Sequence, residues 1–224
     1  MILLVRNEVD PAMSYHCDAL ASYFPEAREY DFPKHGGAPS LDNVEAVVIS
    51  GSTAGVYEAP ERPWIDEEAE FVRELVQREI PTLGICFGHQ LINDALGGHV
   101  ERQEPTHRLV SVKLADDPLL EEIEPILPAV HQDFVVERGD RLDPLVQADY
   151  YPAFGTRHRE APIWTLQAHP ELGVEHVEQL REDFGWTETD NEFESVNAPR
   201  IFENFRTLVH RPSTLCLDRP NLET

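Results

Sequence analysis

Short apolar runs and amphipathic segments alternate along the first hundred residues. The runs at residues 2–5, 44–49 and 82–87 are mostly apolar, which predicts short buried β-strands. Apolar positions recur at helical spacing within residues 10–24, 63–79 and 90–96, which predicts amphipathic helices between those strands. A strand, helix, strand order of this kind predicts a parallel sheet with helices on both faces.

The pattern shortens in the second half of the chain. Four segments read as strands joined by turns and predict antiparallel additions to the sheet, at residues 109–114, 129–137, 151–158 and 161–170. Two amphipathic segments, at residues 174–184 and 200–209, predict closing helices. We therefore predict one α/β domain over residues 1–224: a three-layer, mostly parallel twisted sheet with helices on both faces and some antiparallel strands.

The charge balance is strongly acidic. The chain has 42 Asp and Glu against 18 Lys and Arg, for a formal net charge of −24, and its lysines are Lys34 and Lys113. Such a surface repels phosphate backbones and anionic lipids, so we expect neither nucleic acid nor membrane as a partner. An ordinary acidic protein and a halophilic one both fit this composition. The even spread of acidic residues favours adaptation to high salt, which predicts higher stability in molar than in dilute salt.

Neither a targeting segment nor a cofactor site is predicted. The apolar start of the chain meets Arg6, Glu8 and Asp10 too soon for a secretory signal, and no apolar run approaches the ~20 residues that cross a bilayer. We therefore expect a cytoplasmic protein. The three cysteines are widely spaced and lack a CxxC or Cys/His ligand pattern, which predicts neither a disulfide framework nor a metal site; they are Cys17, Cys86 and Cys216.

Cys86 lies between two glycines at a predicted strand-to-helix junction. The sequence Gly84-Ile-Cys86-Phe-Gly88 is the cysteine form of the nucleophile elbow, a strained turn that exposes the nucleophile at the carboxyl edge of the sheet. Flanking residues without Cβ atoms let neighbouring backbone approach the turn. The helix that follows would direct its N–H groups at the sulfur and stabilise a thiolate. A small buried cysteine between turn glycines is the competing interpretation.

A thiolate nucleophile needs a base, and His169 is the leading candidate among ten histidines. It ends an apolar run, and Pro170 fixes the backbone after it. Glu171 lies two residues on, close enough to orient the imidazole as the third member of a nucleophile, base and orienter set. The same residues would also suit a helix start with proline at its first position.

An anionic tetrahedral intermediate also needs hydrogen-bond donors. The amide N–H of Phe87 follows the nucleophile directly and is one natural donor. The loop Gly51-Ser52-Thr53 follows the preceding strand and could bring a second backbone N–H. A plain β-to-α connection is the alternative interpretation of that loop.

Together, three segments resemble the class I, or triad, glutamine amidotransferases. They are Gly51-Ser52, the elbow sequence GICFGHQ at residues 84–90, and QAHPE at residues 167–171. The likeness extends from residue 2 to about residue 209 and implies a flavodoxin-like fold. Within the family, the chain is similar to the glutaminase part of GMP synthase, which has a His-x-Asp segment between the two motifs, as His131 and Asp133 are here.

The resemblance implies a role for each matching residue. Cys86 would attack the side-chain amide of glutamine, His169 would carry the proton to ammonia, and Glu171 would orient His169. Gln90 would contact the amino-acid end of the substrate, and the backbone of His131, Gln132 and Asp133 would line the same pocket. The family needs no cofactor for this step, and the ammonia would pass to a separate synthetase.

The chain departs from the family pattern at two places. Many relatives have Gly-Gly-Pro where this chain has Gly51-Ser52-Thr53, so the loop is less preset and either Gly51 or Ser52 could donate to the oxyanion. The usual aromatic residue before the histidine is Ala168 here, which predicts a roomier cleft. Two other functions therefore stay open: a free-standing hydrolase of γ-glutamyl bonds, and a non-catalytic binding or regulatory module.

Overall fold

The computed structural model describes residues 1–210, which contain nine strands and six α-helices. The strands are β1 (Ile2–Arg6), β2 (Arg28–Asp31), β3 (Ala46–Ile49), β4 (Thr82–Ile85), β5 (His99–Leu114), β6 (Ile126–Glu137), β7 (Leu142–Ala148), β8 (Tyr151–His158) and β9 (Ile163–Leu166). The helices are α1 (Tyr15–Ser22), α2 (Phe32–His35), α3 (Trp64–Gln77), α4 (Phe87–Ala95), α5 (Val177–Phe184) and α6 (Arg200–His210).

All nine strands form one mixed sheet in the order β2-β1-β3-β4-β9-β8-β7-β5-β6. The five strands from β2 to β9 in that order are parallel, and the pairings from β9 to β6 are antiparallel. The predicted α/β fold with antiparallel additions is confirmed. The arrangement also makes β9 the direct neighbour of β4, although about eighty residues separate them in the chain.

The central strands are buried along their whole length. Every residue of β3, β4 and β9 is buried, as expected where helices cover a parallel sheet. Helix α4 is also almost wholly buried. These three strands therefore form the centre of the core, and their carboxyl ends lie side by side at one edge of the sheet.

Several elements differ from the sequence prediction. The predicted helix at residues 10–24 is a short 3₁₀ turn at Pro11–Met13 followed by α1. Strands β2 and β7 have no counterpart in the prediction, because β2 is polar (REYD) and β7 carries Asp143 and Pro144. Strand β5 begins at His99, ten residues before the predicted strand, because its first half is a mostly exposed arm paired only with β6.

The structure describes too little of the C-terminal end to test the predicted domain bounds. The single domain over residues 1–224 stays a prediction, since residues 211–224, including Cys216, lie outside the described residues. Within residues 1–210, no helix is both long and apolar enough to cross a membrane.

Candidate active site

Cys86 lies on a strained turn between β4 and α4. It is the N-cap of α4, with φ 51° and ψ −104°, a conformation that is rare for residues with a side chain. A Cβ built on Gly84 would lie 2.7 Å from the carbonyl oxygen of Gly88, and one built on Gly88 would lie 2.6 Å from the carbonyl oxygen of Ile49. Both glycines are therefore required for α4 to pack this closely against β3 and β4.

His169 is brought to the same edge of the sheet by the pairing of β4 with β9. Ile85 and Leu166, the last residues of these strands, are register partners, so Cys86 and His169 follow neighbouring strand ends. The His169 amide is anchored by a 2.9 Å hydrogen bond to the carbonyl oxygen of Pro128. The histidine and the cysteine are both nearly fully buried.

Glu171 fixes the imidazole of His169 from behind. Its Oε1 lies 2.7 Å from Nδ1 of His169, and its side chain is fully buried. A carboxylate at this distance favours the tautomer with a proton on Nδ1 and leaves Nε2 for other contacts. Burial alone would lower the pKa of His169, but the neighbouring Cys86 and Glu171 raise it well above its usual value.

Gly51 marks the point where the loop after β3 meets both side chains. A Cβ built on Gly51 would lie 3.1 Å from Cε1 of His169 and 3.4 Å from the Cβ of Cys86. Within residues 1–210, the amide N–H groups of Gly51, Ser52 and Phe87 have no hydrogen-bond acceptor. These three amides are therefore free to donate to another group.

A cleft opens at this point and contains most of the sequence-predicted residues. Its lining includes Ser52, Cys86, Gln90, His131, Gln132, Asp133 and His169. Glu171 lies behind His169 and does not line the cleft. Ala168 is fully buried and does not line it either, and the roomier cleft expected from a small residue at that position stays a prediction.

Gln167 is a site residue that the sequence reasoning did not single out. Its side-chain amide donates to Sγ of Cys86 at 3.4 Å, and its Oε1 accepts from Nε2 of Gln90 at 3.1 Å. Gln90 also donates to the carbonyl oxygen of Asp133 at 3.3 Å. The signal that could have identified Gln167 is its position two residues before His169 in the QAHPE segment.

His131 and Asp133 belong to the wall of the cleft formed by β6. The ring nitrogens of His131 lie 3.0 Å from the hydroxyl of Tyr150 and 3.3 Å from the carbonyl oxygen of Asp133. Burial lowers the pKa of His131 to about 3, so this ring is neutral near pH 7. Tyr57 donates to Oδ1 of Asp133 at 3.1 Å, and burial raises the pKa of that carboxyl.

The other residues that line the cleft lie in segments without a recognisable sequence motif. Glu8, Tyr15 and His16 contribute from the N-terminal part of the chain, and Leu172, Leu180 and Phe184 contribute an apolar wall from the segment around α5. Only the fold brings these residues to the site.

One group of side chains could meet a metal ion. One ligand atom each from His16, His169 and Glu171 can lie within 4.8 Å of the others. However, Nδ1 of His169 is engaged by Glu171, and Nε2 of His16 lies 2.9 Å from Oε2 of Glu8. Because each group has a protein partner at hydrogen-bonding distance, the set is explained by pairing between side chains.

Comparisons with known proteins identify the family. A model of the family "Glutamine amidotransferase class-I" matches residues 20–184, which is more than half of the chain. The chain therefore belongs to the class-I glutamine amidotransferases. It is 31% identical over 147 residues to a glutamine-hydrolysing GMP synthase subunit of Methanothermobacter thermautotrophicus, and the match covers 64% of this chain and 68% of that relative.

Two further likenesses are to a longer relative and to a solved structure. It is 36% identical over 138 residues to the glutamine-hydrolysing GMP synthase of Pyrobaculum aerophilum, and the match covers 59% of this chain but only 25% of the relative's length. The solved structure of a glutamine amidotransferase from Thermotoga maritima superposes with a TM-score of 0.69 at 22% identity, covering 92% of this chain and 90% of that one. The structural match supports the fold.

Proposed function

We propose that this protein hydrolyses the side-chain amide of glutamine to glutamate and ammonia, with Cys86 as nucleophile, His169 as proton carrier and Glu171 as the residue that orients His169. The observation that carries the proposal is the meeting of a strained cysteine and a buried His–Glu pair. Cys86 and His169 follow adjacent parallel strands, and Glu171 holds Nδ1 of His169 at 2.7 Å. Membership of the class-I family makes glutamine the natural substrate.

The first half of the reaction forms a thioester. The Cys86 sulfur bonds to the amide carbon of glutamine, and the electron pair of the C=O bond moves to oxygen. The resulting oxyanion would be stabilised by the free amides of Phe87 and of Gly51 or Ser52. When the intermediate collapses, the C–N bond breaks and protonated His169 gives its proton to the departing nitrogen, which leaves as ammonia.

The second half consumes water. His169, now neutral, removes a proton from a water molecule as its oxygen attacks the thioester carbon. The C–S bond then breaks, glutamate leaves, and the Cys86–His169 pair returns to its starting charge state. The net change is glutamine plus water giving glutamate plus ammonia. The nucleophile and its base are already held by hydrogen bonds, Cys86 from Gln167 and His169 from Glu171, so these two groups need little reorganisation.

The amino-acid end of glutamine would lie along β6. Gln90 and the backbone of His131, Gln132 and Asp133 line that side of the cleft. Because burial keeps His131 neutral near pH 7, its ring adds no positive charge to this wall. The ammonia would pass to a separate synthetase, a proposal supported by relatives that are themselves named as single subunits of GMP synthase.

The test is release of glutamate from glutamine by the purified protein. Cys86→Ala should lower the rate to background, whereas Ser22→Ala, a truncation of the same kind at an exposed position at the end of α1, should retain most of it. Equal rates for the wild type and Cys86→Ala would contradict the proposal. Turnover of a γ-glutamyl anilide far above that of glutamine would instead identify a free-standing γ-glutamyl hydrolase.

A further inference from the structure

A buried carboxylate, Glu8, lies directly behind the loop that carries the free amides. Its side chain is only 3% exposed. Its oxygens accept from the amides of Val9 and Asp10, each at 2.8 Å, and from the amide of Thr53 at 3.0 Å. The hydroxyl of Thr53 also donates to it. Burial alone would raise the pKa of Glu8, but hydrogen bonds from His16, Thr53 and the Asp10 amide lower it.

His16 completes the environment of this carboxylate. Its Nε2 lies 2.9 Å from Oε2 of Glu8, and its side chain is almost fully buried on α1. Burial alone would lower the pKa of His16, but Cys17 and Glu8 raise it. The pair therefore brings a buried anion and its partner to the edge of the cleft, which is costly unless every hydrogen bond is kept.

The Glu8–His16 pair touches the catalytic region on two sides. The imidazoles of His16 and His169 meet edge to face, with ring centroids 5.9 Å apart at 79°. A Cβ built on Gly51 would lie 3.3 Å from Cε1 of His16. Glu8 holds the far end of the same loop through Thr53, so the loop is fixed at both ends of the Gly51-Ser52 step.

This loop needs support from outside itself. It has no proline, and within residues 1–210 its residues 51–53 make no backbone–backbone hydrogen bond. Its internal contacts are the Ser52 hydroxyl, which accepts from the amide of Ala54 at 3.0 Å, and the Ser50 hydroxyl, which donates to the carbonyl oxygen of Gly51 at 2.9 Å. Neither contact holds the amide of Gly51 or Ser52. Oxyanion donors act only if they are held in place before the reaction, and loss of one donor typically costs about 10²- to 10³-fold in kcat. A buried carboxylate that accepts both the amide and the hydroxyl of Thr53 supplies that constraint.

We propose that Glu8 and His16 are positioning residues that fix the Gly51-Ser52-Thr53 loop so that its free amide faces the oxyanion formed at Cys86. The inference rests on the proposed glutaminase function. Neither residue touches the reacting atoms in this account. Glu8 holds the loop, and His16 holds Glu8 while its ring packs against His169.

The test compares three variants for kcat, KM, thermal unfolding and binding of the γ-aldehyde analogue of glutamine. That aldehyde adds to a cysteine thiol to give a tetrahedral adduct whose oxygen occupies the oxyanion position. Glu8→Gln keeps the shape but replaces an acceptor oxygen with a donor. Thr53→Val removes only the hydroxyl contact. Glu74→Gln makes the same acid-to-amide change on the surface of α3 and is the control.

Glu8→Gln should lower kcat about tenfold or more with KM within about twofold, and should weaken aldehyde binding by the same factor as kcat. Thr53→Val should also lower kcat and weaken aldehyde binding. If Glu8→Gln fails to fold, the Thr53→Val result tests the inference. The inference would be overturned if the folded variants keep the wild-type kcat and aldehyde affinity. It would also be overturned if kcat and affinity fall only as far as the folded fraction of the protein falls. Cys86→Ala is assayed alongside to test the glutaminase proposal separately. If Cys86→Ala hydrolyses glutamine as fast as the wild type, the glutaminase proposal fails. If Cys86→Ala is inactive but Glu8→Gln and Thr53→Val keep wild-type values, only the positioning inference fails.

Discussion

The side-chain amide of Gln167 donates a hydrogen bond to Sγ of Cys86 at 3.4 Å. The two residues follow β9 and β4, which are neighbours in the sheet. Gln90 in turn donates to Gln167 at 3.1 Å, so the sulfur is held by a short chain of amides that starts in α4. This contact fixes the sulfur in a position that the strained turn alone does not determine.

Gln167→Leu should therefore lower glutaminase activity. A hydrogen bond to a charged group contributes about 1.5–3 kcal/mol, which corresponds to a loss of about ten- to hundredfold in kcat/KM. Gln147→Leu, a change of the same kind at an exposed position of β7, should leave the rate unchanged. Steady-state kinetics of the two variants check this, and a Gln167→Leu rate within twofold of wild type would show that the amide does not orient the sulfur.

The His169–Glu171 pair predicts a change in pH dependence. Glu171 is one of the two neighbours that raise the pKa of His169. In Glu171→Gln the raising effect of the carboxylate is lost, so His169 should release its proton at lower pH. Since protonated His169 gives its proton to the departing ammonia in the proposed reaction, the basic limb of the kcat/KM profile should move to lower pH and kcat should fall by about 10²- to 10⁴-fold.

The control for this prediction is Glu175→Gln. Glu175 lies four residues on and is 66% exposed, so the same substitution there should leave the profile in place. A Glu171→Gln profile whose basic limb coincides with that of the wild type would mean that His169 is not the group that titrates.

The sequence predicts those site residues that lie in a recognisable motif. Cys86 and His169 were predictable because each lies at the end of an apolar run, with glycines around one and Pro170 after the other. No local pattern predicts that they lie close together in space. Their closeness depends on the pairing of β9 with β4, and strands β5 to β8 lie between these two strands in the chain. Strand order carries no local signal when about eighty residues intervene.

The N-terminal part of the site illustrates the same limit. Glu8 and His16 have no motif spacing, and their pairing arises because β1 lies beside β3 and places the following segment against the loop at Thr53. The strands β2 and β7 escape prediction for a different reason. Their polar residues and Pro144 hide the strand pattern, and sheet pairing overrides weak local propensity there.

Gly88→Ala should damage both stability and activity. The added Cβ would lie 2.6 Å from the carbonyl oxygen of Ile49, so α4 must move away from β3 and carry Cys86 with it. Overpacking of this kind costs about 1–3 kcal/mol, or a decrease of about 2–12 °C in Tm for a chain of this size. Scanning calorimetry and glutaminase assays measure the two effects.

Gly173→Ala is the matched control for that variant. Its added Cβ would meet Oε2 of Glu175 at 2.5 Å, but that atom ends a flexible side chain that can move aside. Equal Tm values for Gly88→Ala and Gly173→Ala would contradict the close packing of the elbow.

Glu68 predicts a pH-dependent stability. It is fully buried on α3, Nδ2 of Asn7 donates to its Oε1 at 3.0 Å, and within residues 1–210 its Oε2 has no partner. Burial raises its pKa to about 8. Because the folded-state value lies above the unfolded one, the contribution of Glu68 to stability is fully present below pH ~4.5 and is lost as the pH rises through about 8.

Glu68→Gln should remove this dependence. The neutral amide has nearly the same shape, so the variant should come close to the wild type near pH 5 and exceed its free energy of unfolding by up to about 5 kcal/mol at pH 9. Urea unfolding at both pH values gives the comparison, and an equal difference at the two would rule out a proton held on Glu68.

The proposed glutaminase reaction depends on Cys86 being the nucleophile toward glutamine. Peptide mass spectrometry after treatment with a chloroketone analogue of glutamine tests this most directly. We expect a single adduct on Cys86 whose formation is suppressed by excess glutamine. An adduct on Cys17 or Cys216, or labelling of Cys86 that glutamine does not slow, would contradict the account.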